Sequence, residues 1–214
     1  LAYQKYGNNK LIDKKSDHFV GDFYVMFSKN ANEKMNEEAQ ELLLKWESKD
    51  KETINLWKKM NKWALDGFDE TYKRLGIKFN KTYYESDFYT KGKDIIEKAV
   101  KKRIFHKDKD NNIIADLSKY NIPNKILLRG DRTSIYITQD LALAELKFKE
   151  YNPNLSVYTV ASEQNLHFKQ LFSILEQLKS KAAGKCLHLS YGLVLLPEGK
   201  MKSREGNVVD ADNI

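Results

Sequence analysis

Between residues 32 and 46 the apolar positions Met35, Ala39, Leu42, Leu43 and Trp46 recur at helical spacing among charged neighbours. A second stripe, Ile54, Trp57, Met60, Ala64 and Phe68, follows a polar break in which Ser48 or Asp50 can cap the next helix. The pattern predicts a helical hairpin. Its tryptophans fall on the apolar stripe and are expected as core anchors rather than as a platform for stacked bases. The aromatic-rich stretch 16–27 suits a helix and a strand equally. After Gly76 the spacing changes: 77–79 and 83–84 read as strands, 91–102 as a helix, and 104–106 with 113–115 as a hairpin around the polar turn 108–112. His106 beside that turn reads as a surface residue with no assigned chemistry. Pro123, in the segment 121–124, then breaks the pattern, since proline restricts the residue before it and donates nothing to a ladder.

Beyond residue 125 the alternation becomes regular. The run 126–128 is predicted as a short buried strand, 130–134 as a turn with capping residues, 135–149 as a helix, 155–160 as a strand and 165–178 as a helix, with 185–189 and 193–196 as further extended runs. Strands and helices joined by a few residues predict right-handed crossovers on a parallel sheet, hence an α/β fold. Ligands in such sheets lie beyond the carboxyl ends of the strands, which directs attention to the residues after Leu128, Val160 and Leu195.

Composition narrows the reading only a little. At 214 residues and 41% apolar content the chain can bury a sizeable core, as one domain with an insertion or as two small domains. A net charge of +7 favours an anionic partner such as a nucleotide or RNA, and is equally compatible with a lysine-rich composition of no special use. The single cysteine, Cys186, excludes a disulfide framework and leaves no Cys/His cluster at zinc spacing. Without a long uncharged apolar run, no membrane span is expected and the cytosol is the expected compartment. Leu1 is not an initiator methionine and 1–15 carry no signal-peptide pattern, so the chain is expected to begin partway through a longer protein.

Three junctions hold the candidate chemistry. Tyr136 and Asp140 lie four apart at the start of a predicted helix and project from one face, where a carboxylate beside a phenol could hold a guanidinium or ammonium. The helix dipole alone also favours an acid there. At 161–170, Glu163, Gln164 and His167 crowd the meeting point of a strand and a helix, more polar groups than capping requires. Lys200, Lys202 and Arg204 stand between Gly199 and Gly206, either as a clamp for polyphosphate charge or as a solvated basic loop.

Three segments resemble arginyl-tRNA synthetase, a class I aminoacyl-tRNA synthetase: TSIYITQDLA at 133–142, SEQNLHFKQLF at 162–172, and HLSYGLV at 188–194 leading into GKMKSREG at 199–206. The stretches around Trp46, 56–60 and 68–72 are similar to the helical insertion of that family, so the resemblance covers nearly the whole chain. It implies a Rossmann-type catalytic domain that activates L-arginine with ATP, Mg²⁺ accompanying the nucleotide, and transfers the arginyl group to the terminal adenosine of tRNA(Arg). It divides the chain into 1–30, a catalytic-domain segment; 31–125, a helical and small-hairpin insertion; and 126–214, the second half of the Rossmann domain. By the same resemblance Tyr136, Asp140 and Gln164 recognise arginine. Glu163, His167, Gly192, Leu193, Val194 and Lys200 contact ATP. Lys200, Lys202, Ser203 and Arg204 form the KMSKS-like loop that stabilises the transferring phosphates, and no protein-bound metal is implied. Asp140 would pair with the guanidinium, and lysine would be rejected for leaving fork acceptors unfilled.

The chain departs from the family pattern at two places. None of His18, His106, His167 and His188 stands in a HIGH motif, and in the loop Ser203 takes the place of the second lysine while Lys202 takes a place usually held by serine. The resemblance therefore implies an internal piece of the catalytic region, with little or no adenylation by the piece alone. A degenerate paralogue acting as an RNA-binding or regulatory module, and an unrelated Rossmann-like nucleotide-binding protein, are the other two classes the sequence admits.

Overall fold

The computed structural model describes residues 1–7, 14–88, 91–197, 199–202, 206 and 208–213. In chain order come α1 (Ala2–Tyr6), α2 (Ser16–Asn30), α3 (Glu33–Glu47), α4 (Lys51–Arg74), α5 (Glu85–Phe88), α6 (Lys91–Lys101), β1 (His106–Lys107), β2 (Ile113–Ala115) and β3 (Lys125–Leu128). There follow α7 (Tyr136–Tyr151), β4 (Ser156–Ala161), α8 (Asn165–Gln177), β5 (Cys186–Tyr191), β6 (Leu195–Leu196) and β7 (Gly199–Lys200). The chain forms two compact units, Leu1–Asn80 with Leu195–Ile214, and Lys81–Val194.

In the first unit the undecided stretch 16–27 is helical. Phe19 and Phe23, one turn apart on α2, are both buried, and with Tyr3 and Trp63 they form an edge-to-face cluster with ring centroids 5.1–6.2 Å apart. Burial of these rings selects the helix where periodicity alone could not. The predicted helical hairpin is present as α3 and α4. Asn32 caps α3 by accepting from the Met35 N–H, and Asp50, rather than Ser48, caps α4 by accepting from the Thr53 N–H at 2.9 Å. Of the three tryptophans only Trp63 joins the aromatic core. Trp46 and Trp57 meet edge-on at 5.6 Å with Trp57 36% exposed, so the expectation that they anchor a core is corrected. Among the described residues, 77–79 and 83–84 enter no ladder either. Phe79 instead packs edge-on against Tyr72, and the Tyr83 hydroxyl donates to Glu150 Oε2 at 2.6 Å.

The second unit contains two sheets. β1, β2 and β3 pair antiparallel, with Ala115 opposite Lys125, and the expectation that 126–128 joins a parallel sheet is corrected: the nine-residue connection 116–124 is short enough to fold β3 back on β2. The parallel crossover lies further on. β4 and β5 run in register from Ser156↔Cys186 to Ala161↔Tyr191, with α8 as the connecting helix. The run 193–196 is not a further strand of this sheet, because Leu195–Leu196 turns back onto Gly199–Lys200. Ile96, Leu117, Leu127, Ile137, Leu141, Phe148, Leu171 and Ile174, each at most 1% exposed, form the core under α6, α7 and α8. Helices α6 and α7 meet closely at Gly92, where an added Cβ would stand 2.2 Å from the Thr138 carbonyl oxygen. Along β4 and β5, Tyr158 and His188 turn onto Phe168, whereas Val157, Leu187, Leu189 and Tyr191 remain about half exposed as an apolar face. No helix among the described residues is long and apolar enough to cross a membrane.

Candidate active site

The second unit brings two of the three junctions together. Asp131 organises the turn before α7 by accepting from the Thr133 N–H at 2.8 Å, and the Ile135 N–H donates to Thr138 Oγ1 at 3.3 Å, so the helix opens at Tyr136 with Asp140 one turn on. After β4, a single 3₁₀ turn, Ser162–Gln164, feeds α8 and places His167 on its first turn. The two helix starts touch: His167 Nε2–H donates to Asp140 Oδ2 at 2.6 Å, with the His167 side chain 17% and the Asp140 side chain 34% exposed. Phe168 is buried edge-on to His167 and lies 4.4 Å from the His188 ring, whose Nε2 donates to the Val160 carbonyl at 2.9 Å. Phe168 of α8 thus bridges the His167 ring to His188 on β5.

Around it, Tyr136 is 78% exposed and Glu163 and Gln164 are exposed. Gly192, Leu193 and Val194 follow the carboxyl end of β5 as exposed chain rather than as a strand, and a Cβ at Gly192 would meet nothing within 4 Å. Two turns along α7 from Asp140, Lys147 Nζ donates to Ser156 Oγ at 3.1 Å and stands 3.8 Å from the Tyr158 ring centroid. Burial draws the Lys147 ammonium below its ordinary pKa and pushes the Tyr158 phenol and the Cys186 thiol up, so proton loss from the two acids is disfavoured. Asp140 and His167 are in direct contact, a pairing that the sequence reading did not contain. Spacing relates residues within one helix, and the contact joins α7 to α8 across 27 residues.

Of the third junction, Lys200 ends β7 and Lys202 follows it, both exposed and both in the first unit. Ser203 and Arg204 lie outside the described residues.

The family described as tRNA synthetases class I (R), catalytic domain, matches residues 1–214. The chain belongs to the arginyl-tRNA synthetase family. It is 50% identical over 221 residues to an arginine–tRNA ligase of Treponema denticola and 43% identical over 244 residues to that of Phocaeicola vulgatus, matching 100% of this chain in each case. The chain spans 38–40% of the length of these curated relatives. Among solved structures, the arginyl-tRNA synthetase of Thermus thermophilus shares the fold with a TM-score of 0.74 at 21% identity, over 99% of this chain and 41% of that one. That of Plasmodium falciparum does so with a TM-score of 0.64 at 20% identity, over 85% and 34%. The arginyl-tRNA synthetase fold thus accounts for the parallel β4–α8–β5 crossover.

Proposed function

We propose that this chain supplies part of the catalytic region of an arginine–tRNA ligase that works in the cytoplasm. In this reaction the carboxylate of L-arginine attacks the α-phosphorus of ATP, pyrophosphate leaves, and a hydroxyl of the terminal adenosine of tRNA(Arg) then takes the arginyl group from the adenylate. The observation that carries the reading is the Asp140 carboxylate, one turn into α7, which is hydrogen-bonded to His167 and, among the described residues, forms no ion pair with an arginine. A carboxylate so placed can accept the planar guanidinium fork, which an ammonium fills less completely. Tyr136, one turn before it, and Gln164, at the start of α8, supply the phenol and the amide that would orient the arginine.

For the nucleotide, the bare backbone at Gly192 suits the approach of a planar base, and Glu163, His167, Leu193 and Val194 are the neighbouring side chains assigned to ATP. Mg²⁺ arrives with ATP as part of the substrate and supplies charge neutralisation of the phosphates. Lys200, Lys202, Ser203 and Arg204 are assigned to the charge that develops on the transferring phosphates. The 214 residues by themselves are expected to show little adenylation, because none of the four histidines lies in a HIGH motif.

Thermal shift tests the reading in the protein carrying this sequence. L-Arginine stabilises it, L-lysine and L-citrulline do not, and Asp140→Ala abolishes the effect; equal stabilisation by all three ligands overturns the arginine assignment. A second reading, a degenerate paralogue that binds RNA, is favoured by a groove between α6, α7 and the end of α8 in which Lys91, Lys98, Lys149, Lys179 and Lys181 outnumber Asp94 and Glu145. Stabilisation by RNA without any by arginine would select it.

A further inference from the structure

In the second unit the Asp140 carboxylate is gripped at one oxygen. His167 Nε2–H donates to Oδ2 at 2.6 Å, and among the described residues no side chain donates to Oδ1. An ionised carboxylate only accepts hydrogen bonds, so Nε2 must carry the proton of the contact. Of about four acceptor sites on the carboxylate the imidazole takes one, which leaves room for a two-pronged donor.

The imidazole is itself held. It stands on the first turn of α8, and Phe168, buried beside it, meets it edge-on with ring centroids 5.5 Å apart. Phe168 also packs on Tyr158 of β4 at 5.2 Å and on His188 of β5 at 4.4 Å, and His188 Nε2 is fixed to the Val160 carbonyl at 2.9 Å. A chain of contacts therefore runs from the parallel strands through α8 to a carboxylate on α7, all within one compact unit. An aspartate carboxyl left to itself turns broadly about its last torsion. A guanidinium fork is accepted at both oxygens only when the carboxylate lies in its plane. A donor fixed on one oxygen removes that freedom before the ligand arrives, so the ordering does not weaken binding.

We propose that His167 is a positioning residue for arginine recognition: its Nε2–H sets the plane of the Asp140 carboxylate so that the substrate guanidinium meets both oxygens. This rests on the ligase reading above and deepens it, because it gives His167 a partner in the amino-acid site rather than at the nucleotide. One ring N–H suits the task. It occupies part of one oxygen and leaves the rest to the substrate, whereas the forked donors of an arginine at the same place would fill both.

The test is isothermal titration of the protein carrying this sequence with L-arginine and, separately, with ATP. The variants are His167→Phe, His167→Gln, Asp140→Asn and the double variant His167→Phe with Asp140→Asn. Phenylalanine keeps a ring against Phe168 and removes the donor, while glutamine returns an N–H donor near the place of Nε2. His167→Phe is expected to weaken arginine binding roughly tenfold and to leave ATP binding within about twofold. His167→Gln should recover arginine affinity to within about threefold of wild type, and on the Asp140→Asn background His167→Phe should cost less than about twofold, since both act through one carboxylate. A contact that only joins α7 to α8 would lower the melting temperature without this rescue or this coupling. An arginine Kd unchanged in His167→Phe, an ATP Kd that weakens as much as that for arginine, a glutamine no better than phenylalanine, or losses additive with Asp140→Asn each overturn the proposal. If His167→Phe does not fold, His167→Ala takes its place in every comparison. A wild-type protein that binds no arginine overturns the ligase reading itself, a result distinct from a wild type that binds arginine no better than its His167 variants.

Discussion

Replacing Asp140 by asparagine keeps the shape of the side chain and removes its charge. In the folded chain Asp140 is hydrogen-bonded to His167 at 2.6 Å, and its side chain is 34% exposed. The cost to folding is therefore small: a partly exposed side-chain hydrogen bond contributes about 1 kcal/mol, which for a chain of this length moves the melting temperature by roughly 2–4 °C. Binding responds far more strongly. Truncating one partner of a hydrogen-bonded charge pair costs about 2–5 kcal/mol, and a value of about 3 kcal/mol weakens arginine binding roughly 150-fold. Citrulline carries no charge at the same position and should lose little, so the preference for arginine over citrulline should collapse by a similar factor. Isothermal titration of the Asp140→Asn protein with arginine, lysine and citrulline measures all of this. An arginine Kd within about threefold of wild type, with the preference over citrulline retained, would refute the assignment of the guanidinium to Asp140.

Gly92→Val drives two methyl groups toward the Thr138 carbonyl where α6 meets α7, and should destabilise the second unit by about 1–3 kcal/mol or more, read as a lower urea midpoint. A hydrogen bond from Lys15 holds the Asp212 carboxyl below its ordinary pKa, so the stability it contributes is present above the usual carboxylate value near about 4 and is lost as pH falls through the lowered folded value. For Lys15, burial pulls the pKa down but the bonds to Asp212 and Asp17 leave it raised, so its contribution holds below about 10.4 and fades only as pH rises through the raised value. Acid unfolding followed by tryptophan fluorescence should accordingly lose part of its pH dependence in Asp212→Asn, and an unchanged acid limb would contradict the pairing. Charge reversal at Lys179 and Lys181 should weaken RNA binding and flatten its salt dependence if the lysine groove holds phosphates, and should leave both unchanged if it is only solvated.

Where one helix carries its own signal, the sequence was sufficient. The apolar stripe ending at Phe68 and the alternation from Ile135 to Leu189 predicted α3, α4, α7, β4, α8 and β5 to within a few residues at their ends. The failures have a common cause, dependence on a partner distant in the chain. Residues 16–27 become a helix because Phe19 and Phe23 find Tyr3 and Trp63, and β3 is antiparallel because β2 lies beside it. The stretches 77–79 and 83–84 have strand composition without a neighbouring strand, and composition cannot supply one. The candidate site divides in the same way. Asp140 and His167 were each legible as polar groups at a helix start, but their contact was not.

The apolar face of the β4–β5 pair carries a practical consequence. Among the described residues these two strands pair only with each other, and Val157, Leu187, Leu189 and Tyr191 stand about half in water along them. A ribbon so narrow, oily on one side and with open hydrogen-bonding margins, behaves as an adhesive strip. Concentrated preparations of these 214 residues should scatter light increasingly with concentration, and lysine or glutamate at Leu187 and Leu189 should restore clarity without disturbing the helices packed behind.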